Sequence, residues 1–199
     1  MTTRSPLALT VLALLHYQPL HPYGIQRLIK QWGKDQVINV GQRAGLYRTI
    51  ERLHRDGLIT VRETGREQAY PERTVYEVTD AGREVAHEWL REMLATPRQE
   101  FPEFPAALSH LLLLSRDEMV AALELRAESL SATLNGIEAS LSVESEHGLP
   151  RITQLETEYL RAVTATELDW VRSVVEDLRA GRLTWSTDQL RSMAGNSEG

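Results

Sequence analysis

Apolar positions recur along this chain with helical spacing, and one short passage breaks the pattern with alternation. Leu7, Val11, Leu12, Leu14 and Leu15 put apolar side chains on most sides of a first helix, which predicts an element enclosed by its own domain. Pro19 and Pro22 end that helix and open a second through Ile25, Leu28 and Ile29, closing near Gly33. Leu46, Ile50 and Leu53 stand at i, i+4 and i+7 of a third, stopped by Asp56-Gly57. The runs Leu58–Arg62 and Thr74–Val78 are β-branched with alternating polarity, so they predict an antiparallel hairpin with a long tip. Thr79 or Asp80 caps a fourth helix that carries Val85, Trp89, Leu90, Met93 and Leu94 and ends at Pro97.

Pro97, Pro102 and Pro105 mark a boundary, beyond which the pattern is helical again. Ser115 and Glu118 form the capping-box pair S-x-x-E. Val120, Leu123, Ala127, Leu130, Leu134, Ile137 and Leu141 then alternate three- and four-residue steps, the stripe of a heptad helix. The polar stretch Ser142–Pro150 reads as a loop into a last helix, with Ile152, Leu155, Tyr159, Val163, Trp170, Val174 and Leu178 on one broad face and Gly181 as its stop. Two long helices joined by a short connection predict an antiparallel pair. The fold class expected is mainly α with a small β-hairpin: a winged helix-turn-helix over 1–96, an antiparallel helical domain over 97–185 and a frayed tail over 186–199.

Composition narrows the chemistry. The 199 residues contain no cysteine, which removes disulfides, zinc ribbons and thiol catalysis and fits a reducing cytoplasm. Six scattered histidines offer no helical metal pair, and no Gly-rich phosphate loop, H-E-x-x-H or G-x-S-x-G motif occurs. We expect no enzyme activity, no metal and no cofactor. The apolar run Leu7–Leu15 is shorter than the ~20 residues that span a bilayer and lacks a small-residue cleavage site, so a cytoplasmic protein with no membrane partner is expected.

The net charge of −6 argues against a uniformly basic coat, but it conceals a division. Residues 1–83 hold 12 basic and 8 acidic side chains, and the remainder hold 10 and 20. The basic groups gather on the third helix (Arg43, Arg48, Arg52, Arg55) and the hairpin (Arg62, Arg66, Arg73). Arg48, Arg52 and Arg55 share one stripe, and a guanidinium suits both phosphate pairing and bidentate reading of guanine. Three helices, a hairpin and a fourth helix is the order of a winged helix, whose third helix enters a major groove. Arg43, Tyr47, Arg48, Thr49 and Arg52 are the expected groove residues, with Arg62, Arg66 and Arg73 on backbone phosphates. Tyr47 could instead pack against the wing, and Tyr23 and Gly24 suit packing and turn geometry.

The segments Leu12-Ala13-Leu14-Leu15, Pro19-Leu20-His21-Pro22-Tyr23-Gly24-Ile25, Gly45-Leu46-Tyr47-Arg48-Thr49-Ile50-Glu51-Arg52-Leu53, His54-Arg55-Asp56-Gly57-Leu58-Ile59 and Tyr76-Glu77-Val78-Thr79-Asp80-Ala81-Gly82 occur in register over 7–82. Together they resemble the PadR-type transcriptional regulators. The resemblance implies a homodimer on double-stranded DNA, acting as a repressor that a small-molecule effector, aromatic or otherwise, relieves. The length of the C-terminal half is similar to the family's longer subgroup, in which added helices build the dimer. It implies that Trp89, Met93, Tyr159 and Trp170 border an effector pocket or the dimer interface. Arg48 stands where the family commonly has proline, and the tip Thr64–Thr74 is longer than many wings. The rival reading from the residues is a winged-helix module that docks a protein partner and binds no specific DNA.

Overall fold

A computed structural model describes residues 3–34, 37–38, 43–65 and 73–185. The chain divides into two units, Met1–Glu100 and Phe101–Gly199, so the join falls among the three prolines.

The first unit opens with α1 (Pro6–Tyr17), whose first turn starts at a proline and is capped by Ser5, which accepts from the Ala8 amide at 3.2 Å. Ala8, Val11, Leu12, Leu14 and Leu15 are buried, as an all-round apolar helix requires. α2 (Pro22–Gln31) is capped by a histidine: His21 Nδ1 accepts from the Gly24 amide at 2.7 Å. α3 (Arg43–Arg55) buries Leu46, Ile50 and Leu53 against α1 and α2. Strands β1 (Ile59–Gly65) and β2 (Arg73–Val78) pair antiparallel from Ile59↔Val78 to Gly65↔Arg73, with a bulge between Val61 and Glu63. Both strands extend further toward the tip than their alternation indicated, because the polar Glu63-Thr64-Gly65 still pairs through its backbone. A single bridge from the linker between α1 and α2 adds to the sheet, with Leu20 and Tyr76 exchanging amide hydrogen bonds at 3.0 and 2.9 Å.

α4 (Asp80–Ala95) is locked to the end of α3 by a small knot of backbone contacts. Gly57 takes φ +72°, which a residue with a Cβ adopts at a cost, and lets the chain turn from α3 into β1. The Thr79 hydroxyl donates to the Gly57 carbonyl at 2.8 Å and accepts from the Gly82 amide at 3.0 Å, so one side chain caps α4 and ties it to that turn. A Cβ on Gly82 would lie 2.0 Å from the Leu58 carbonyl oxygen, which explains the glycine. Trp89, expected at a pocket or interface, is instead 9% exposed and belongs to the core of this unit with Leu12, Ile25, Ile50 and Ile59. The large indole completes a core that α1 and the sheet leave open on the α4 side.

The second unit begins with α5 (Glu103–Leu108) and a 3-10 turn, Leu111–Leu113. α6 (Arg116–Glu146) starts at the expected capping box: the Glu118 carboxylate accepts from the Ser115 amide at 2.8 Å, and the Ser115 hydroxyl accepts from the Glu118 amide. The helix runs five residues into the stretch expected as a loop, because Ser142–Glu146 contains no breaker and Gly148 (φ +66°) is the first residue suited to end it. After a second 3-10 turn, Arg151–Thr153, α7 (Leu155–Arg179) returns antiparallel. Arg116 donates to the Arg179 carbonyl at 2.8 Å, Arg126 to Glu167 at 2.7 Å and Arg161 to Glu138 at 3.4 Å, so ion pairs and hydrogen bonds tie the two helices together along their length.

The face of α7 that meets α6 corrects the expected one in part, since Val174 and Leu178 pack in this core as expected. Leu168, Val171, Val175 and Leu178 are buried, with Met119 and Leu123 of α6 opposite. Tyr159, Val163 and Trp170 lie on the other side of the helix, 68%, 46% and 45% exposed. Both stripes have helical spacing, and only packing chooses between them. Among the described residues no helix is long and apolar enough to cross a membrane.

Candidate nucleic-acid interface

The third helix divides its side chains by charge. At 100° per residue, Leu46, Thr49, Ile50 and Leu53 point inward, while Arg48, Glu51 and Arg55 point outward. Arg48 is exposed, and its Nε donates to the Ala44 carbonyl at 3.1 Å, which holds the guanidinium along the helix surface toward its start. Arg55 is exposed beside Asp56, with 3.8 Å between Nε and the carboxylate. Arg52 sits at the edge of the stripe, half-buried, and its Nε is enclosed with no hydrogen-bond partner among the described residues.

Thr49 was expected in the groove, and the structure overturns that placement. Its side chain is buried and its hydroxyl donates to the Gly45 carbonyl at 2.9 Å, so it satisfies its own helix and presents nothing outward. Thr49 stands four residues after Gly45 and one after Arg48, which rotates it onto the Leu46 and Leu53 side. Arg43 is the first residue of α3, and its side chain lies outside the described residues, as does all of Arg66. Arg73 begins β2 opposite Gly65, again without a described side chain. Arg62 falls at the bulge of β1, where its guanidinium is 3.8 Å from Glu77 on the neighbouring strand.

Tyr47 is half exposed and opens onto a cleft between the start of α2, α3 and β2. His21, Tyr23, Glu51, Thr74 and Tyr76 complete its lining. Burial, and secondarily the negative charge of Glu51, push the Tyr76 hydroxyl above its usual pKa of 10.0, so it stays a neutral donor. His54 meets the Tyr76 ring edge-on at 5.8 Å and helps fix the strand against the helix. The sequence reading passed over Glu51 and Tyr76. A carboxylate inside an arginine-rich helix is the signal that marks this cleft.

In the second unit, Tyr159, Val163 and Trp170 line an open trough with Ala162, Thr166 and Glu167, about 540 Å³ in volume. Trp170 stands edge-on to Phe104 at 6.1 Å, and the Arg126 guanidinium covers the Phe104 ring at 3.4 Å. Tyr159 and Trp170 thus share one surface, while Trp89 is enclosed in the other unit's core and Met93 is half-buried on α4.

Residues 11–88, from α1 to α4, match the model of the "Transcriptional regulator PadR-like family". Residues 11–88 therefore form a PadR-like domain, the domain of a family of transcriptional regulators. No curated protein matches it. Among solved structures, the chain is similar to Bacillus subtilis PadR in complex with operator DNA, at 21% identity and TM-score 0.73, over 87% of this chain and 99% of that one. The same protein in complex with p-coumaric acid matches at 20% identity and TM-score 0.70, covering 87% and 98%. The Vibrio cholerae virulence activator AphA matches at 20% identity and TM-score 0.63, also over 87% and 98%. These likenesses establish the fold across both units. The matched residues 11–88 contain the knot, the buried face of α3 and both strands of the wing.

Proposed function

We propose that this PadR-like regulator is a homodimer that binds a pseudo-palindromic operator through α3 and represses the genes beside it until a small aromatic effector releases it. The observation that carries DNA recognition is the outward face of α3, where Arg48 and Arg55 are exposed, Arg52 lies half-buried at their edge, and Tyr47 stands beside the wing. Arg48 and Arg52 reach base edges, Tyr47 and Arg43 adjoin them, and Arg62, Arg66 and Arg73 hold backbone phosphates. Base contacts specify and phosphate contacts position.

The exposed side of α7 supports the dimer. Tyr159, Val163 and Trp170 form an apolar surface next to the polar Glu167, and a second copy would bury it, as a soluble protein's exposed apolar patch invites. Relief by a ligand rests on the PadR-like domain and on the p-coumaric acid complex of the Bacillus protein.

A mobility-shift assay on the DNA upstream of the protein's own gene tests the reading. Wild type shifts the fragment, and affinity falls steeply with salt, by ~0.9 in log–log slope for each phosphate neutralised. Arg48→Ala or Arg52→Ala lowers specific affinity by ~1–3 kcal/mol where the residue reads a guanine. Both variants binding like wild type would overturn the assignment of α3. No shift by wild type would favour a protein-docking module.

A further inference from the structure

We propose that the cleft between the start of α2, α3 and the wing is a binding site for a small organic cation, and that its occupant and DNA exclude each other. The cavity measures about 240 Å³ and is lined by His21, Tyr23, Tyr47, Glu51, Thr74 and Tyr76. At ~30 Å³ per water it has room for about eight, the size of a compact quaternary ammonium. Three tyrosines line it, a residue type whose ring face attracts a cation, and Tyr23 and Tyr47 are each about half exposed. Glu51 supplies the opposite charge. Among the described residues it has no ion-pair partner, although it lies on the same helix as four arginines.

The chemistry of the lining argues for this class of occupant. An anion would meet the Glu51 carboxylate, and a purely apolar molecule would strand it beside the Tyr76 hydroxyl. A cation with a methylated head satisfies both the rings and the carboxylate. His21 is committed elsewhere, since its Nδ1 caps α2, and its ring stacks near Tyr23 at 6.1 Å, which fixes one wall. The exclusion of DNA follows from position, and this part rests on the proposed DNA-binding function. Tyr47 is shared by the cleft and the outward side of α3, so a molecule seated there occupies space that a phosphate backbone would need.

The full chain is titrated without DNA against choline and against neohexanol, its uncharged carbon isostere, following backbone amide shifts by heteronuclear NMR. Choline is expected to shift the amides around Glu51, Tyr23 and Tyr76, and neohexanol to bind about tenfold more weakly. Glu51→Gln should weaken choline by about tenfold and leave neohexanol unchanged, and Tyr23→Leu, which keeps bulk but loses the ring, should weaken choline alone. No shifts with choline, equal binding of the two probes, or unaltered choline affinity in folded Glu51→Gln each overturns the site. DNA binding is then compared in choline chloride and sodium chloride of equal ionic strength. Greater weakening in choline for wild type, lost in Glu51→Gln, supports exclusion, and identical curves overturn it. If wild type binds no DNA, the regulatory reading fails and exclusion fails with it, whereas the titration decides the cation site independently.

Discussion

The two units use the same helical alphabet and close their cores differently. In the first, apolar residues from α1, α2, α3, the sheet and α4 converge, and Leu12, Ile25, Ile50 and Leu53 are fully enclosed. In the second, two long helices press one stripe each together, with Met119, Leu123, Val171, Val175 and Leu178 inside, and leave Tyr159, Val163 and Trp170 outside. The difference teaches where each unit must find its stability. A unit with elements on several sides completes itself, while a helix pair has only one seam and exposes whatever apolar surface lies behind it.

Glycine substitutions break the comparison most sharply. Gly82→Ala drives a Cβ to 2.0 Å from the Leu58 carbonyl, in the knot that joins α3, β1 and α4. Backbone must move, so the first unit is expected to lose about 3 kcal/mol in urea unfolding. Gly136→Ala in α6 meets nothing within 4 Å and is expected to raise stability by about 0.5–1 kcal/mol, through lower unfolded-chain entropy and better helix propensity. Equal signs for the two substitutions would remove the contrast between a crowded unit and an open one.

A carboxylate on either side of α7 probes the open face. Val171→Asp, at a position with no exposure, should unfold the helix pair, as read by circular dichroism. Val163→Asp should leave helix content intact and weaken self-association by about 2 kcal/mol, roughly thirtyfold, in sedimentation equilibrium. Unchanged association of Val163→Asp would place the dimer contact on another surface.

Much of this was legible from spacing alone, and the failures have a common cause. Leu46, Ile50 and Leu53 announced the buried side of α3, and Ser115 with Glu118 announced the start of α6, because a single face or a local hydrogen-bond pair decides each. Thr49 was misplaced because its hydroxyl looks available until the helix satisfies it at Gly45. α7 carries two apolar stripes, and periodicity cannot say which one the chain itself covers. Trp89 was drawn outward by the resemblance, whereas the first unit needed its volume. The Glu51 cleft is assembled from α2, α3 and β2, so no local window of sequence contains it.

The smallest expected effect concerns the capping box of the open unit. The Glu118 carboxyl is held below the usual 4.5, chiefly because it accepts hydrogen bonds from the Ser115 hydroxyl and amide. A carboxyl with a depressed folded pKa binds protons less readily when folded, so it contributes stability that is complete above its unfolded pKa. That contribution fades as pH falls from about 4.5 through the lower folded value, when the protonated acid no longer accepts as strongly. The first turn of α6 should therefore fray on acidification in this window, seen as faster amide exchange at Met119 and Val120, while α1, capped by the neutral Ser5, holds. Glu118→Gln retains an acceptor and cannot titrate, so it should flatten the pH dependence at α6 alone. If the variant frays with the same pH profile as wild type, another carboxylate governs the acid limit of this helix.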